Sequence, residues 1–358
     1  MEISNFPIFK SKLEGAPTFN LNDPADRRKY FDAKVGLELK AIKKYLDEGK
    51  TFVAFLLGKK NSGKGTYSKL FIEAVSSDKI GHVSIGDIVR DAHALVENEQ
   101  GQKELIEFLH KNYRGWHSPE ETIDLILRRN QSSLISSELI VALIKYEIAK
   151  RPKQAIFIDG FPRAMDQVGY SIFLKELIGY REDPDVMIFI SLPNTVINER
   201  IKYRVVCPVC KTPRNLKLMV TKDVGYDEVA RQYYLKCDKL SCHNARMLPK
   251  EGDNLGIEPI RERLETDDKI MRQLLKLHGI PKIYLRNAIP VEVAKENVDD
   301  YEITPGYDFE RQADGTVKVK ESQWTIKDDE GQDSYSLLPP PIVVSLVKQL
   351  TAVLNLDK

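Results

Sequence analysis

Two adjoining segments near the start of the chain constrain its fold more than any other feature: an apolar run and the glycine-rich loop directly after it. Residues 51–57 (TFVAFLL) are continuously apolar, which is typical of a strand buried in a parallel sheet. The loop 58–66 (GKKNSGKGT) follows and opens a helical pattern. Glycines let backbone N–H groups turn around phosphate oxygens, and the helix N-terminus adds partial positive charge. The unit predicts a nucleotide site in which Lys64 reaches the β- and γ-phosphates.

The strand pattern recurs four times later in the chain, at residues 81–85, 155–158, 186–192 and 288–293. Helical patterns separate these runs. Strands that alternate with helices predict an α/β fold of three layers, in which helices cover both faces of a parallel five-stranded sheet. We expect an N-terminal arm and helix at 1–49, the core at 50–350 and a C-terminal helix at 338–358. The first helix is predicted to start at Asp23-Pro24 and to stop at Gly49.

Three segments break this alternation and are predicted to be insertions in the core. Residues 86–137 contain a second helix start at Ser118, followed by Glu121 in a capping-box arrangement. Residues 205–252 hold every cysteine of the chain. Residues 296–336, the late insertion, are polar, and within them 317–320 is expected to pair with 323–326 as a hairpin.

The charge balance argues against several classes of partner. The 358 residues carry 54 Lys plus Arg against 53 Asp plus Glu, a formal net charge of +1, so no electrostatic argument favours nucleic acid or a membrane surface. No apolar run approaches the length of a membrane span, and residues 1–12 lack the apolar stretch of a signal peptide. We therefore expect a cytoplasmic protein with no nucleic-acid or membrane partner.

The four cysteines, Cys207, Cys210, Cys237 and Cys242, all lie between positions 207 and 242. In a reducing compartment such a cluster indicates a metal site before it indicates disulfides. The first pair has C-x2-C spacing, and four thiolates in a tetrahedron form a closed structural Zn²⁺ site. His243 is an alternative to Cys242 as the fourth ligand. A disulfide-linked segment is the remaining alternative.

A second motif follows the third predicted strand: Asp159-Gly160-Phe161-Pro162-Arg163, with Gln167 four residues further on. A carboxylate at the carboxyl end of a parallel strand lies beside the phosphate loop and can order water around Mg²⁺. The arginine offers a planar fork to a second phosphate. Gln167 offers both a donor and an acceptor to the edge of a base.

These motifs, in this order, resemble those of adenylate kinases. The resemblance rests on GKGT at 63–66, SIGDIVR at 84–90, LISSELI at 134–140, DGFPR at 159–163 with Gln167, RIKYR at 200–204 and RL at 263–264. It covers residues 51 to about 289. It implies a P-loop NTPase-type core with a nucleoside-monophosphate-binding insertion at 86–137 and a zinc-ribbon lid at 205–252. The implied reaction converts Mg²⁺-bound ATP and AMP into two ADP, and we expect a monomer.

The resemblance also implies roles for individual residues. The implied ATP-binding residues are Gly58, Asn61, Ser62, Gly63, Lys64, Gly65, Thr66, Arg200 and Arg204. The implied AMP-binding residues are Ile85, Arg90, Ser133, Leu134, Ile135, Gly160, Phe161, Arg163, Gln167 and Arg263. The implied catalytic residues are Lys64, Arg90, Asp159, Arg163, Arg200, Arg204 and Arg263. Of these, Arg90 and Arg163 would hold the AMP phosphate, and the last three would close on the transferring phosphoryl group. Positioning and charge neutralisation are sufficient for this chemistry.

Gly65 stands where most phosphate loops have a hydroxyl, so the metal is expected to be held mainly by phosphates and water. The sequence departs from the family pattern at two places, and these leave alternatives open. Ile85 stands where the family usually has threonine, which leaves a kinase for another monophosphate open. No arginine occurs in the stretch 250–254 (KEGDN) after the lid. Lys250 is the predicted substitute, although it cannot make the bidentate fork of arginine, and a residue from an insertion is the alternative source of charge. A weakly active nucleotide-binding scaffold is therefore a further alternative.

A zinc-ribbon nucleic-acid binder is the alternative from another class, with Tyr226, Tyr233 and Tyr234 as stacking residues. The near-zero net charge argues against it.

Overall fold

The structure is a computed structural model, and it describes residues 2–15, 17–127 and 135–357. Within these ranges the chain forms eleven α-helices and fifteen strands. The helices are α1 (Pro24–Asp47), α2 (Lys64–Val75), α3 (Ile85–Leu95), α4 (Glu99–Asn112), α5 (Pro119–Leu127), α6 (Ser137–Ala149), α7 (Gln167–Leu177), α8 (Asn194–Lys202), α9 (Arg261–Leu275), α10 (Val291–Asn297) and α11 (Pro339–Val353). The strands are β1 (Val53–Gly58), β2 (Ile80–Ser84), β3 (Ala155–Asp159), β4 (Asp185–Ser191), β5 (Arg204–Val206), β6 (Pro213–Asn215), β7 (Val224–Asp227), β8 (Gln232–Leu235), β9 (Leu248–Pro249), β10 (Lys282–Arg286), β11 (Ala288–Pro290), β12 (Pro305–Arg311), β13 (Val317–Gln323), β14 (Thr325–Lys327) and β15 (Asp333–Ser336). No helix in these ranges is both long enough and apolar enough to cross a membrane.

Five of the strands form one parallel sheet in the order β10, β4, β1, β3, β2. The central strand β1 is buried because it has a strand on each side and helices on both faces. Its alternate side chains enter two apolar clusters. Val53 and Phe55 pack with helices α3 to α7 and α9, whereas Ala54 and Leu56 pack with α1, α2 and α11. The predicted three-layer α/β fold with a parallel five-stranded sheet is confirmed.

The prediction of the fifth strand at residues 288–293 is wrong. The fifth strand is β10, which pairs with β4 at the edge of the sheet. An edge strand has only one neighbour, so just Ile283 and Leu285 of its sequence KIYLR are fully buried and no continuous apolar run marks it. Residues 288–290 form β11 instead, which pairs antiparallel with β15 in a separate small sheet.

Helix starts follow the predicted signals. The Asp23 carboxylate accepts a hydrogen bond from the Asp26 amide (2.9 Å), and Pro24 occupies the first turn of α1, where no amide donor is needed. At the start of α5 the Glu121 amide donates to the Ser118 hydroxyl (3.1 Å), and the Ser118 amide donates to the Glu121 carboxylate (2.8 Å). This is the predicted capping box.

The cysteine-bearing segment and the late insertion form small β-units that contact each other. Strands β5, β6 and β9 make a three-stranded sheet, and β7 pairs with β8. The hairpin of β12 and β13 packs beside β7. The Tyr307 amide donates to the Lys217 carbonyl (2.9 Å), and the rings of Phe309 and Tyr233 lie 5.3 Å apart.

The predicted pairing of residues 317–320 with 323–326 is wrong. Strand β13 pairs with β12, across a turn in which Asp314 accepts from the Thr316 amide (2.9 Å) and Gly315 has φ +84°. Strand β14 pairs with β15 instead. The alternating pattern of residues 317–320 marks a strand, but it does not identify the partner, because the partner precedes it in the chain.

A buried polar network joins the N-terminal arm, α1 and the start of the late insertion. Glu302 is fully buried, and its carboxylate accepts from the hydroxyls of Tyr30 (2.5 Å) and Ser11 (2.6 Å). The Lys34 ammonium lies 2.7 Å from the Asp299 carboxylate and 3.4 Å from that of Glu302. Removing one charge from such a network leaves another buried charge without its partner.

We predict that Lys34→Met lowers the free energy of unfolding by about 3 kcal/mol or more, because it leaves two carboxylates without their cation. Lys29→Met is the matched control on the same helix. Lys29 is mostly exposed, and its pairing with Asp26 is expected to contribute about 0.5 kcal/mol or less. Urea unfolding followed by circular dichroism measures both variants. A loss in Lys34→Met as small as that in Lys29→Met would contradict the role of the network.

Candidate functional site

The phosphate loop joins the end of β1 to the start of α2, and its shape requires two of its glycines. A Cβ on Gly58 would lie 2.7 Å from Ser62 Oγ and 3.1 Å from Ile190 Cβ, so a larger residue does not fit there. Gly63 has φ +98°, a left-handed conformation that other residues rarely adopt, and the Tyr67 ring lies against it. The loop therefore makes the compact turn that the sequence predicts.

Lys64 is the first residue of α2, and its ammonium group turns back over the loop. It donates to the carbonyls of Gly58 (2.8 Å) and Lys59 (3.0 Å). Burial lowers the pKa of Lys64, while the carboxylates of Asp159 and Asp267 act to raise it. A cation held in this way at the N-terminus of a helix is well placed to meet phosphate oxygens.

A first cleft, of about 370 Å³, opens between the phosphate loop, the turn after β3 and helix α9. Its charged lining comes from three separate parts of the chain and consists of Lys60, Lys64, Asp159, Arg163, Arg263 and Asp267. Gly160 lines the same cleft, at φ +84°. The structure thus brings Asp159, Gly160, Arg163 and Arg263 together with Lys64, around a space with four cations and two carboxylates.

A second cleft, of about 580 Å³, adjoins the first. It contains the predicted residues Asn61, Ser62, Gly63, Lys64, Gly65, Thr66, Arg200 and Arg204. Further lining comes from the cysteine-bearing segment, through Leu218 and Met219, and from Leu338 and Pro339 at the start of α11. Lys64, Asp159 and Asn61 line both clefts, so the two clefts meet at these residues.

Sequence reasoning missed three residues that belong to these clefts or hold their arginines. Lys60 and Asp267 line the first cleft. Asp253 makes a bidentate ion pair with Arg204, whose Nε and Nη2 donate at 2.6 and 2.7 Å. The one available sequence signal for Asp267 is its position four residues after Arg263 in a helical pattern, where an acid and a base face each other.

Five of the described acceptor residues lie outside both clefts, and two of these, Arg90 and Ile85, belong to α3. Arg90 on α3 is exposed and forms an ion pair with the neighbouring Asp87. Ile85, the first residue of the same helix, is 1% exposed and packs in the apolar core below the sheet edge. Its side chain therefore offers no contact to a ligand in this arrangement.

The remaining predicted acceptor residues are placed as follows. Phe161 is fully buried in the same apolar core, and Ile135 is half-buried against it. Ser133 and Leu134 lie outside the described residues. Gln167 is buried at the start of α7, and its Oε1 accepts from the Arg163 amide (2.7 Å). The side-chain oxygen of Gln167 is thus engaged by the backbone, whereas the side-chain NH2 group of Gln167 has no partner among the described residues.

Lys250 belongs to the same cationic surroundings as the first cleft. Burial is the largest cause that lowers the pKa of Lys60, and the charge of Lys250 is the next, ahead of Arg163, Arg263 and Arg204. The side chain of Lys250 is exposed. The predicted substitute for the arginine absent after the cysteine-bearing segment is therefore near the charged lining of the cleft.

The four cysteines form one cluster, in which all Sγ atoms lie within 4.8 Å of one another. The sulfurs of Cys210 and Cys237 are 3.7 Å apart. Four sulfurs in a tetrahedron at about 2.3 Å from zinc would be separated by about 3.8 Å. All four are free thiols, and His243 is exposed and outside the cluster. The cluster is therefore a closed donor set compatible with structural zinc, completed by Cys242 and not by His243.

Curated relatives of the chain share one name. The chain is 30% identical over 233 residues to the adenylate kinase of Clostridium acetobutylicum. The aligned residues make up 65% of this chain and 86% of the relative. It is 28% identical over 224 residues to the adenylate kinase of Syntrophomonas wolfei subsp. wolfei, with coverage of 62% and 85%. It is 27% identical over 248 residues to the adenylate kinase of Clostridium botulinum, with coverage of 68% and 92%. No protein-family model matches the chain.

Proposed function

The chain belongs to the adenylate kinase family and is a nucleoside monophosphate kinase, and we propose that it transfers the terminal phosphoryl group of Mg²⁺-bound ATP to AMP, giving two ADP. The observation that carries this proposal is the meeting of two clefts at Lys64 and Asp159. A donor in one cleft and an acceptor in the other would present their phosphates to each other at this point. The proposal therefore concerns the identity of the acceptor and the roles of the residues.

We assign the second cleft to ATP. The amides of the phosphate loop and the ammonium of Lys64 would bind the phosphate oxygens, and Arg200 and Arg204 would contact the γ-phosphate from α8 and β5. Leu338 and Met219 offer apolar surface to the base. In this assignment the cysteine-bearing segment 205–252 is the lid that covers ATP.

We assign the first cleft to the acceptor. Arg163 and Arg263 would bind the phosphate of AMP, and the NH2 group of Gln167 would donate to the adenine edge. The helices of the 86–137 insertion would close over the nucleoside. Arg90 would contribute only after turning away from Asp87.

The chemistry needs no covalent intermediate with the protein. An oxygen of the AMP phosphate forms a bond to the γ-phosphorus while the bond from that phosphorus to the β,γ-bridging oxygen breaks, so the leaving group is ADP. The charge of the loose transition state spreads over the phosphoryl oxygens, and the converging cations neutralise it. Lys64 remains in contact with the transferring group throughout, because it lines both clefts.

The residues around Asp159 fit a magnesium ion that comes with ATP. Mg²⁺ keeps several waters and binds one or two carboxylates plus substrate phosphates, where it neutralises developing charge. Asp159 lies near Gly65, with Oδ2 at 3.7 Å from the position of a Cβ there, so this carboxylate and not a hydroxyl at position 65 would hold the hydrated ion.

Two lysines would compensate for the arginine that the chain lacks after the lid. Lys60 lines the first cleft, and Lys250 is close enough to lower its pKa. Each would supply a point charge to the phosphates without the planar fork of arginine. We therefore expect charge neutralisation to be retained and geometric control of the phosphoryl group to be weaker.

The acceptor is tested by a coupled assay of ADP formation from ATP with AMP, CMP, UMP or GMP. We predict that kcat/KM for AMP exceeds that for each other monophosphate by at least about tenfold, since a wrong base leaves buried polar groups unpaired. Lys64→Met is the inactive control and should lower kcat by about 100-fold or more. Faster phosphorylation of another monophosphate would replace AMP as the acceptor, and transfer to none of them would reject the proposed reaction.

We also propose that the cysteine cluster binds one zinc ion, which holds the lid together. The lid buries only a small apolar cluster around Val205, Leu235 and Met247, so a metal supplies folding free energy that its own core does not. The phosphate loop and the sheet lie outside the segment. Loss of zinc should therefore affect the lid first.

For the zinc site we predict that Cys207→Ser lowers the zinc content from one per chain to about zero, since serine is a poor zinc ligand. Residues 205–252 should become sensitive to protease and kcat should fall, while calorimetry still detects ATP binding to the loop. Ser241→Ala, beside a ligand but not itself one, is the matched control and should keep its zinc. Wild-type protein purified without chelator that contains no zinc and has four freely titrating thiols would contradict the proposal.

A further inference from the structure

We propose that Asp267 on α9 is a positioning residue, which orients Arg263 toward the transferring phosphoryl group and holds α9 against the phosphate loop. This inference rests on the proposed function, because it takes Arg263 to contact phosphate in the first cleft. It gives a role to a carboxylate that stands among the cations of that cleft.

Asp267 divides its two carboxylate oxygens between two donors. Oδ2 accepts from the Lys60 amide in the phosphate loop at 2.9 Å. Oδ1 lies 2.8 Å from Arg263 Nη2, one turn earlier on α9. Only 8% of the Asp267 side chain is exposed, and burial raises its pKa against the opposing effects of Arg263 and Lys64. One side chain thus connects the loop of the donor cleft to an arginine of the acceptor cleft.

Arg263 is anchored on a second side as well. Its Nη1 donates to the Arg163 carbonyl at 3.0 Å, in the turn that follows β3. Guanidinium is planar, so holding two of its nitrogens determines the plane of the whole group. The Arg163 carbonyl accepts from one of its five N–H groups and the Asp267 carboxylate pairs with Nη2, so N–H groups of the guanidinium remain for a ligand. Donors that are oriented before the charge develops need no reorganisation during the reaction, which is the basis of electrostatic catalysis.

The carboxylate also offsets repulsion in the first cleft. Lys60, Lys64, Arg163 and Arg263 converge there, and the charges of the two arginines act to lower the pKa of both lysines. An ordinary acid–base pair on an exposed helix face contributes only a few tenths of a kcal/mol. Asp267 differs from such a pair because it is buried and because it also accepts from a different segment of the chain.

The variant that isolates this role is Asp267→Asn. The amide oxygen of asparagine can still accept from the Lys60 amide, whereas its NH2 group then faces the Arg263 guanidinium, donor against donor. The substitution therefore removes the ion pair between position 267 and Arg263, and it keeps the hydrogen bond from the Lys60 amide. Glu265→Gln is the matched control, because it makes the same change of charge at an exposed position of the same helix.

We expect Asp267→Asn to lower kcat by about tenfold to a hundredfold, the scale of an angstrom-sized misplacement of a catalytic group. The Kd for ATP, measured by calorimetry, and the melting temperature should stay close to the wild-type values. Glu265→Gln should keep the wild-type kcat. A merely structural role would instead lower the melting temperature and weaken ATP binding together with turnover.

A double-mutant cycle with Arg263→Met shows whether Asp267 acts through that arginine. We expect the double variant to be no slower than Arg263→Met alone, since Asp267 then has no arginine left to orient. Losses in kcat that multiply in the double variant would overturn the inference. So would an Asp267→Asn variant with wild-type kcat while Arg263→Met is impaired.

Failure of the proposed function is distinguishable from failure of this inference. If the wild-type protein phosphorylates no nucleoside monophosphate, the reaction is rejected, and the same four proteins of the cycle are titrated with inorganic phosphate as a probe of the first cleft. The inference then predicts weaker binding in each single variant and no further weakening in the double variant. Weakening that multiplies, or none in Asp267→Asn when Arg263→Met is weakened, would contradict it.

Discussion

The structure depends on one geometric constraint: five parallel strands end at the same edge of one sheet. The carboxyl ends of β1 and β3 deliver the phosphate loop and Asp159 side by side, and β4 leads directly into α8 with its arginine. Strand β1 lies between β3 and β4, and it is therefore buried on both faces and on both edges. Residues far apart in sequence therefore converge at this edge, as is usual for ligand sites in such sheets.

Convergence of cations creates a second requirement, because like charges at short range repel one another and lose solvation. The chain meets it in part by giving three of these cations a specific acceptor. Arg204 is held by Asp253, Arg263 by Asp267 and Lys64 by two loop carbonyls. Phosphates would replace part of this compensation with stronger, charge-assisted hydrogen bonds. The site is thus electrostatically suited to polyanions even though the whole chain carries a formal net charge of only +1.

The sequence predicted those parts of the fold and site that depend on local pattern. The apolar run of β1, the glycine loop, the capping box at Ser118 and the cysteine spacing each report nearby geometry, and the structure bears them out. The edge strand β10 was not predicted, because its buried and exposed side chains alternate and it lacks the continuous apolar run of a central strand. Asp267 escaped because its loop partner Lys60 is 207 residues away, and no local pattern reports such a contact. The pairing of β12 with β13 was missed for a different reason, because the alternating pattern of β13 marks a strand without showing on which side in the sequence its partner lies.

The central claim is that the two clefts meeting at Lys64 form one site for phosphoryl transfer. Calorimetric titration with a bisubstrate ligand, two adenosines joined through five phosphates, tests it most directly. A ligand that fills both clefts at once avoids a second association step, so it should bind one per chain and about a hundredfold or more tighter than ATP. A ligand that binds no more tightly than ATP, or two per chain, would contradict the claim.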